Sequence, residues 1–274
     1  MIEEFIKKEI EYFKPMLQRQ KKATQEMRES WRKETVAQRL ERVSLETYDL
    51  CEGKVQRGLF CGLQLNKDTW WGKSDLGAQC LGLYEKEILD LIAATGPYDT
   101  FLDIGAADGY YAVGLLHAEM AKRVICFEIS SHGQRAINEN WLKNKCPGEI
   151  EINGEANEQT ITSVATQLSD NTLVLIDIEG FEFQLLSPEV IVALSTCNVV
   201  VEIHNWIDGF EEKYSALLKD LDRFFDIAII SPSERNTQTI ELLRSYTDDN
   251  RLLMSSERRP CLMRFLHLTP KKNR

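Results

Sequence analysis

Between Phe101 and Tyr111 an apolar segment ends in an acid, passes through Asp103-Ile104-Gly105-Ala106-Ala107-Asp108-Gly109, and enters a second apolar segment at Tyr110. A strand, a glycine turn and a helix, in that order, form the unit from which nucleotide-binding α/β sheets are built. No other stretch restricts the fold as much. The spacing is Asp-x-Gly-x-x-x-Gly, whereas dinucleotide folds use three glycines to bring backbone N–H groups and a helix N-terminus against phosphate. A carboxylate at Asp103 would repel phosphate placed over the turn, so a cationic ligand suits this loop better than a pyrophosphate.

Downstream the pattern alternates. Strands are expected over 100–104, 124–128, 149–153, 173–178 and 198–203, with helices over 110–120, 134–145, 158–168, 183–194 and 210–224. Five such units predict a parallel sheet with helices on both faces. Two more apolar strands, 226–230 and 261–268, flank a polar stretch from 231 to 260, which fits a last strand inserted antiparallel. The expected architecture is a doubly wound, seven-stranded, mostly parallel α/β sheet over 97–270.

Upstream, Ile2, Phe5, Ile6, Ile10 and Phe13 recur at helical spacing, and Pro15 stops or restarts that helix. A second helical pattern over 18–48 carries Met27, Trp31, Val36, Leu40 and Val43. Residues 1–50 read as an α-helical extension packed on the main domain, with a dimerising pair of helices as the alternative. Residues 51–96 form a loop-rich lead-in with the pair Trp70-Trp71 and a helix over 84–94. The two tryptophans are either core anchors or a surface that stacks on a flat or sugar-like ligand.

The 274-residue chain has a net charge of -10, yet residues 1–50 hold eleven Lys/Arg against ten Asp/Glu. The acidity therefore belongs to residues 51–274, which weighs against a nucleic-acid partner. Seven cysteines without a Cys-x-x-Cys pair fit reduced thiols in a cytoplasm. The chain shows neither a signal-peptide pattern nor an apolar run long enough for a membrane span.

The ends of the expected strands are acidic: Asp103, Glu128, Asp177-Ile178-Glu179 and Glu202-Ile203-His204. A single carboxylate after a strand is commonly a solvated turn residue or helix cap; four on one rim point to a site. Glu128 lies close to the offset at which an acid of nucleotide folds grips ribose hydroxyls. After the third strand, Gly154-Glu155-Ala156 offers another acid, although Asn153-Gly154 is also an ordinary turn. Asp108, at a helix start, suits a cap as readily as a ligand contact.

Phe101–Tyr111, Phe127-Glu128, the run Leu175-Ile-Asp-Ile-Glu-Gly-Phe-Glu182 and Val201-Glu-Ile-His204 resemble the motifs of class I S-adenosylmethionine-dependent methyltransferases, and more narrowly the FkbM-type branch. The resemblance covers about 97–268. It implies the Rossmann-like methyltransferase fold with S-adenosylmethionine as cofactor. It places Asp103, Gly105, Ala106 and Gly109 around the methionine part and Glu128 on both ribose hydroxyls. Ile129 would pack on the adenine ring, with Glu155 and Ala156 at its edge, and Asp177 would face methyl donor and acceptor. Ala107 departs from the branch, where asparagine is frequent.

Methyl transfer to a hydroxyl needs positioning and a base. Asp177, Glu179 and His204 are the candidates, and His204 has the pKa best suited to the task; His204 also reads as a histidine bonding a neighbouring loop, and Glu179 as a cap of the helix beginning near Phe181. Asp177, Glu179, Glu202 or His204 could hold a divalent ion, since oxygen-rich groups suit magnesium, but their spacing does not demand a metal and none is expected. The resemblance implies O-methylation of a sugar, glycan or small natural product, with Trp70, Trp71, Trp206 and Tyr84 as stacking surfaces. The alternatives are methylation of RNA or protein, and a non-catalytic cofactor-binding or assembly protein.

Overall fold

The computed structural model describes residues 2–22, 24–261 and 263–271, with the side chains of 16–22 and Trp31 outside the description. Three helices open the chain: α1 (Ile2–Lys22), α2 (Gln25–Lys33) and α3 (Val36–Leu50). Pro15 neither stops nor restarts α1, which runs through it. The pattern expected over 18–48 is instead broken twice. Thr24 and Thr35 each accept a hydrogen bond from a first-turn amide of the next helix, and Thr35 with Gln38 completes a reciprocal cap. Of the apolar stripe, Leu40 and Val43 are buried whereas Met27 and Val36 are exposed. Thus α3 packs on the core, and Ile2, Phe5, Ile6, Ile10 and Phe13 of α1 remain at the surface.

Two short helices, α4 (Leu76–Cys80) and α5 (Lys86–Thr95), lead into the sheet. Then come β1 (Tyr98–Ile104), α6 (Tyr110–His117), β2 (Ala121–Phe127), α7 (Ser131–Asn144), β3 (Glu149–Asn153), α8 (Glu158–Ala165) and β4 (Thr172–Ile176). The helix expected over 183–194 is two pieces, α9 (Glu182–Leu185) and α10 (Pro188–Ala193). Pro188 cannot continue a helix that needs its N–H, and it begins α10 under a Ser187 cap. The chain finishes with β5 (Asn198–Ile203), α11 (Phe210–Leu221), β6 (Phe225–Ile230), α12 (Asp248–Leu253) and β7 (Arg264–Pro270).

The strands form one sheet in the order β3-β2-β1-β4-β5-β7-β6, with β7 antiparallel to both neighbours and the other pairs parallel. The expected doubly wound sheet with an inserted antiparallel strand is therefore present. Its two faces alternate along each strand. Phe101, Val124 and Leu173 face α3, α5 and α6, while Leu102, Ile125 and Val174 face α8, α10 and α11. Cover on both faces explains why β4 reads as an unbroken apolar run.

The stretch 231–260 is not a mere polar connection. Ile240, Leu243, Tyr246 and Met254 are buried in the same cluster as α3, and the Tyr246 hydroxyl meets Thr47 Oγ1 at 2.9 Å. No helix among the described residues is long and apolar enough to cross a membrane. All seven cysteines are free thiols.

Candidate functional site

Strand order reverses between β1 and β4, and in such sheets the crevice at the carboxyl ends of these strands receives the ligand. The glycine turn after β1 lies against the turn after β4. Gly105 has φ +97°, and a Cβ there would stand 1.8 Å from the carbonyl oxygen of Asp177, so only glycine fits. The amides of Gly105 and Ala106 both donate to the Phe127 carbonyl at 3.0 Å, tying the turn to the end of β2. Gly109 begins α6.

Glu128 closes this corner. Its Oε2 accepts from Ala107 N–H at 2.9 Å and its Oε1 from Ser130 N–H at 2.6 Å. Burial raises its pKa, while these amides and the Trp70 indole favour the ionised form. Ala107 is held at φ +47°, a left-handed conformation that asparagine tolerates better than alanine. Asp103 is buried at the tip of β1, with Oδ2 lacking a hydrogen-bond partner. Burial first, then the negative charge of Asp177, pushes its pKa up to about 8. Ile129 is 74% exposed on the rim beside Glu128. Glu155 is exposed and Ala156 half-buried just after β3, whose last residue, Asn153, accepts from the Glu128 amide at 3.1 Å.

Asp108 is neither a cap nor open to a ligand at both oxygens. Gly109 is the residue preceding α6, and no side chain caps that helix. Asp108 instead accepts from the backbone N–H of Trp70 (2.8 Å) and of Trp71 (3.1 Å), strapping the lead-in across the glycine turn. Gly133 permits the fit, since a Cβ there would lie 2.7 Å from Glu128 Cγ and 2.8 Å from Trp70 Cδ1.

Across the crevice, the ends of β4 and β5 bring Asp177, Glu179 and His204 together. His204 Nε2 stands 3.6 Å from Asp177 Oδ1, from Glu179 Oε2 and from Glu202 Oε2. Its Nδ1 is hydrogen bonded to Glu182 Oε1 at 2.7 Å. Burial disfavours the charged imidazole, but the Glu182 hydrogen bond and the surrounding acids outweigh it and raise the pKa. Asp177 is pushed up to about 6, burial outweighing the attraction of His204, and Glu179 is raised by burial and by Asp177. Glu179 does not cap the following helix. It sits at φ +55°, and Glu182 takes the amides of Ile178 and Gly180, both at 3.1 Å.

Of the proposed stacking aromatics, Trp206 lies 4.7 Å from His204, centroid to centroid. Tyr84 is half-buried with its ring edge-on to Tyr110, and Trp70 and Trp71 are partly exposed over the glycine turn.

Reasoning from sequence missed Glu85. It is buried at φ +43°, accepts from the Tyr111 hydroxyl at 2.7 Å, and is pushed up to about 8 by burial and by Asp177. It also missed Arg259, which pairs with Glu202 and with Glu257 (2.8 Å). A glutamate ahead of an amphipathic helix and an arginine pair in a polar stretch carry no periodic signal. A non-glycine residue in left-handed backbone costs about 1–3 kcal/mol and persists where the surroundings impose it. Ala107, Glu179 and Glu85 all do so around this one crevice.

The sheet order and the antiparallel seventh strand are those of the Rossmann-like methyltransferase fold. No family model matches the chain, and no curated protein matches it. Among solved structures, a putative rRNA-methylase from Clostridium thermocellum is 16% identical over 67% of this chain and 93% of its own, with TM-score 0.45. The precorrin-6y C5,15-methyltransferase of Geobacter metallireducens is 13% identical over 69% of this chain and 88% of its own, with TM-score 0.44. TrmK of M. capricolum, in complex with S-adenosyl-homocysteine, is 13% identical over 69% and 70%, with TM-score 0.43. The functional reading of this chain rests on its own residues.

Proposed function

We propose that this protein is a methyltransferase that binds S-adenosylmethionine over the glycine turn and methylates a hydroxyl. The observation that carries this reading is the pair Asp103 and Glu128, two buried acids on either side of a glycine turn at the switch point. A phosphate-bearing cofactor would oppose ionisation of both acids, whereas a ligand with an adenosine, an ammonium and a sulfonium favours their carboxylate forms and then meets opposite charge. Glu128 would take the ribose hydroxyls, Ile129 the adenine face, and Glu155 and Ala156 the adenine edge. Asp103, Gly105, Ala106 and Gly109 would receive the methionine end.

The acceptor enters on the side of Asp177, Glu179 and His204, where its proton is drawn off while its oxygen is held in line with the methyl group. The lead-in over 51–96 brings Glu85 to that side, beside Asp177, and lays the Trp70-Trp71 strap over the glycine turn. The FkbM-type resemblance of residues 175–182 and 201–204 supports a sugar, glycan or natural-product hydroxyl in a cytoplasmic setting. The acidity of residues 51–274 supports a small acceptor over RNA. Deleting the gene and comparing glycans and metabolites by mass tests this: a species one methylene lighter in the deletion strain supports it. Loss of methyl groups from RNA or protein alone would replace it with the macromolecular reading.

A further inference from the structure

His204 is buried, and its two ring nitrogens meet different surroundings. Nδ1 has Glu182. Nε2 has no hydrogen bond among the described residues and faces the three carboxylate oxygens of Asp177, Glu179 and Glu202, each at 3.6 Å. Asp177 Oδ1 is itself a buried oxygen without a hydrogen-bond partner. We propose that Asp177 Oδ1, Glu179 Oε2 and His204 Nε2 are the ligands of a divalent-cation site at the ends of β4 and β5.

With Nδ1–H committed to Glu182, a neutral imidazole turns the lone pair of Nε2 toward three oxygens of like polarity. A proton on Nε2 lies beyond hydrogen-bond reach of each oxygen at that separation. A cation among them reaches all three donors at once. The ligand atoms of Asp177, Glu179 and His204 lie within 4.8 Å of one another. Donors set about 2.1 Å from one ion stand about 3.0–3.4 Å apart, so the two 3.6 Å contacts to His204 need close by only a few tenths of an ångström, and the two carboxylate oxygens, within 4.8 Å of each other, make the larger adjustment.

Glu202 stays at the edge, because its other oxygen is paired with Arg259. The buried Glu182 behind the imidazole is the outer partner that metal-binding histidines usually have, fixing the tautomer that leaves Nε2 free. One imidazole with carboxylates suits manganese among the common divalent ions. Glu179 is partly exposed, which leaves coordination positions open toward the crevice. The cation site stands on this geometry, while its role rests on the methyltransferase reading. In that role the ion would polarise an acceptor hydroxyl at an open position, whose proton passes to the uncoordinated Glu202 Oε2, 3.6 Å from His204 Nε2, as the oxygen takes the methyl group from the sulfonium, and His204 acts by holding the ion.

The test uses the full chain, freed of metal with EDTA and dialysed, titrated with MnCl2 while free Mn²⁺ is followed by electron paramagnetic resonance. Saturable binding of one ion per chain is expected, weakened at least about tenfold by Glu179→Gln and by Asp177→Asn and unchanged by Glu149→Gln, an exposed acid at the start of β3. Thermal melts establish that the variants fold. If Asp177→Asn does not, Glu179→Gln decides, since its side chain is partly exposed. No saturable binding by the wild type, or wild-type affinity in the folded variants, would overturn the proposal. S-adenosylmethionine affinity of the same protein separates the two readings. Cofactor binding without Mn²⁺ binding removes only the cation site, and Mn²⁺ binding without cofactor binding removes only the methyltransferase.

Discussion

Glu182 and His204, both buried, share a 2.7 Å hydrogen bond between Oε1 and Nδ1, and the same oxygen takes the amides of Ile178 and Gly180. One carboxylate thus shapes the turn after β4 and orients the imidazole at the end of β5. Glu182→Gln keeps an acceptor oxygen but loses the charge, and should cost about 1–3 kcal/mol in urea unfolding. Because Glu182 helps to raise the His204 pKa, the imidazole should titrate at lower pH in the variant, as read from its NMR Cε1 proton.

Ala107 donates its N–H to Glu128 from a left-handed backbone. Ala107→Gly should relieve that conformation and raise stability by about 0.5–1 kcal/mol, since the gain exceeds the added freedom of glycine in the unfolded chain. The same urea titration reads it. A loss of stability would mean that the alanine methyl packs to more effect than the backbone strain costs.

Asp103 has a folded pKa of about 8 against an ordinary 3.8. The folded protein therefore keeps a proton that the unfolded chain has released, and Asp103 lowers stability progressively as pH rises through that window. Asp103→Asn removes this slope, so its stability relative to the wild type should improve between about pH 5 and about pH 8. A ligand ammonium beside Asp103 favours the carboxylate. Cofactor binding near neutral pH should then release a proton, seen as different heats in phosphate and Tris buffers.

Asp108 holds the Trp70-Trp71 strap by two backbone hydrogen bonds. Asp108→Ala should free the segment, shifting tryptophan emission to the red and opening residues 66–72 to protease, at a cost of about 1–3 kcal/mol. An unchanged spectrum and cleavage pattern would mean that the strap is held by packing alone.

The sheet was legible because its strands are apolar runs punctuated by turns, and the rim was legible because acids end those runs. Asp103, Glu128, Asp177 and His204 each follow such a run, and the fold gathers their loops into one crevice. The twin breaks at Thr24 and Thr35 were hidden by a charge pattern that reads as continuous helix. Glu85, Arg259 and the packing of 231–260 were hidden because contacts between segments distant in the chain leave no local period. Asp108 was ambiguous for a related reason: whether an acid at a helix start caps that helix or holds another segment depends on what lies above it.

The acid-flanked glycine turn is proposed above as the site of S-adenosylmethionine. Isothermal titration of the cofactor into the wild-type protein and into Glu128→Ala tests it most directly. Saturable one-to-one binding is predicted for the wild type, weakened at least about tenfold when Glu128 no longer meets the ribose, a loss of about 1.4 kcal/mol or more. No binding by the folded wild-type protein, or equal binding by the two, would contradict the account.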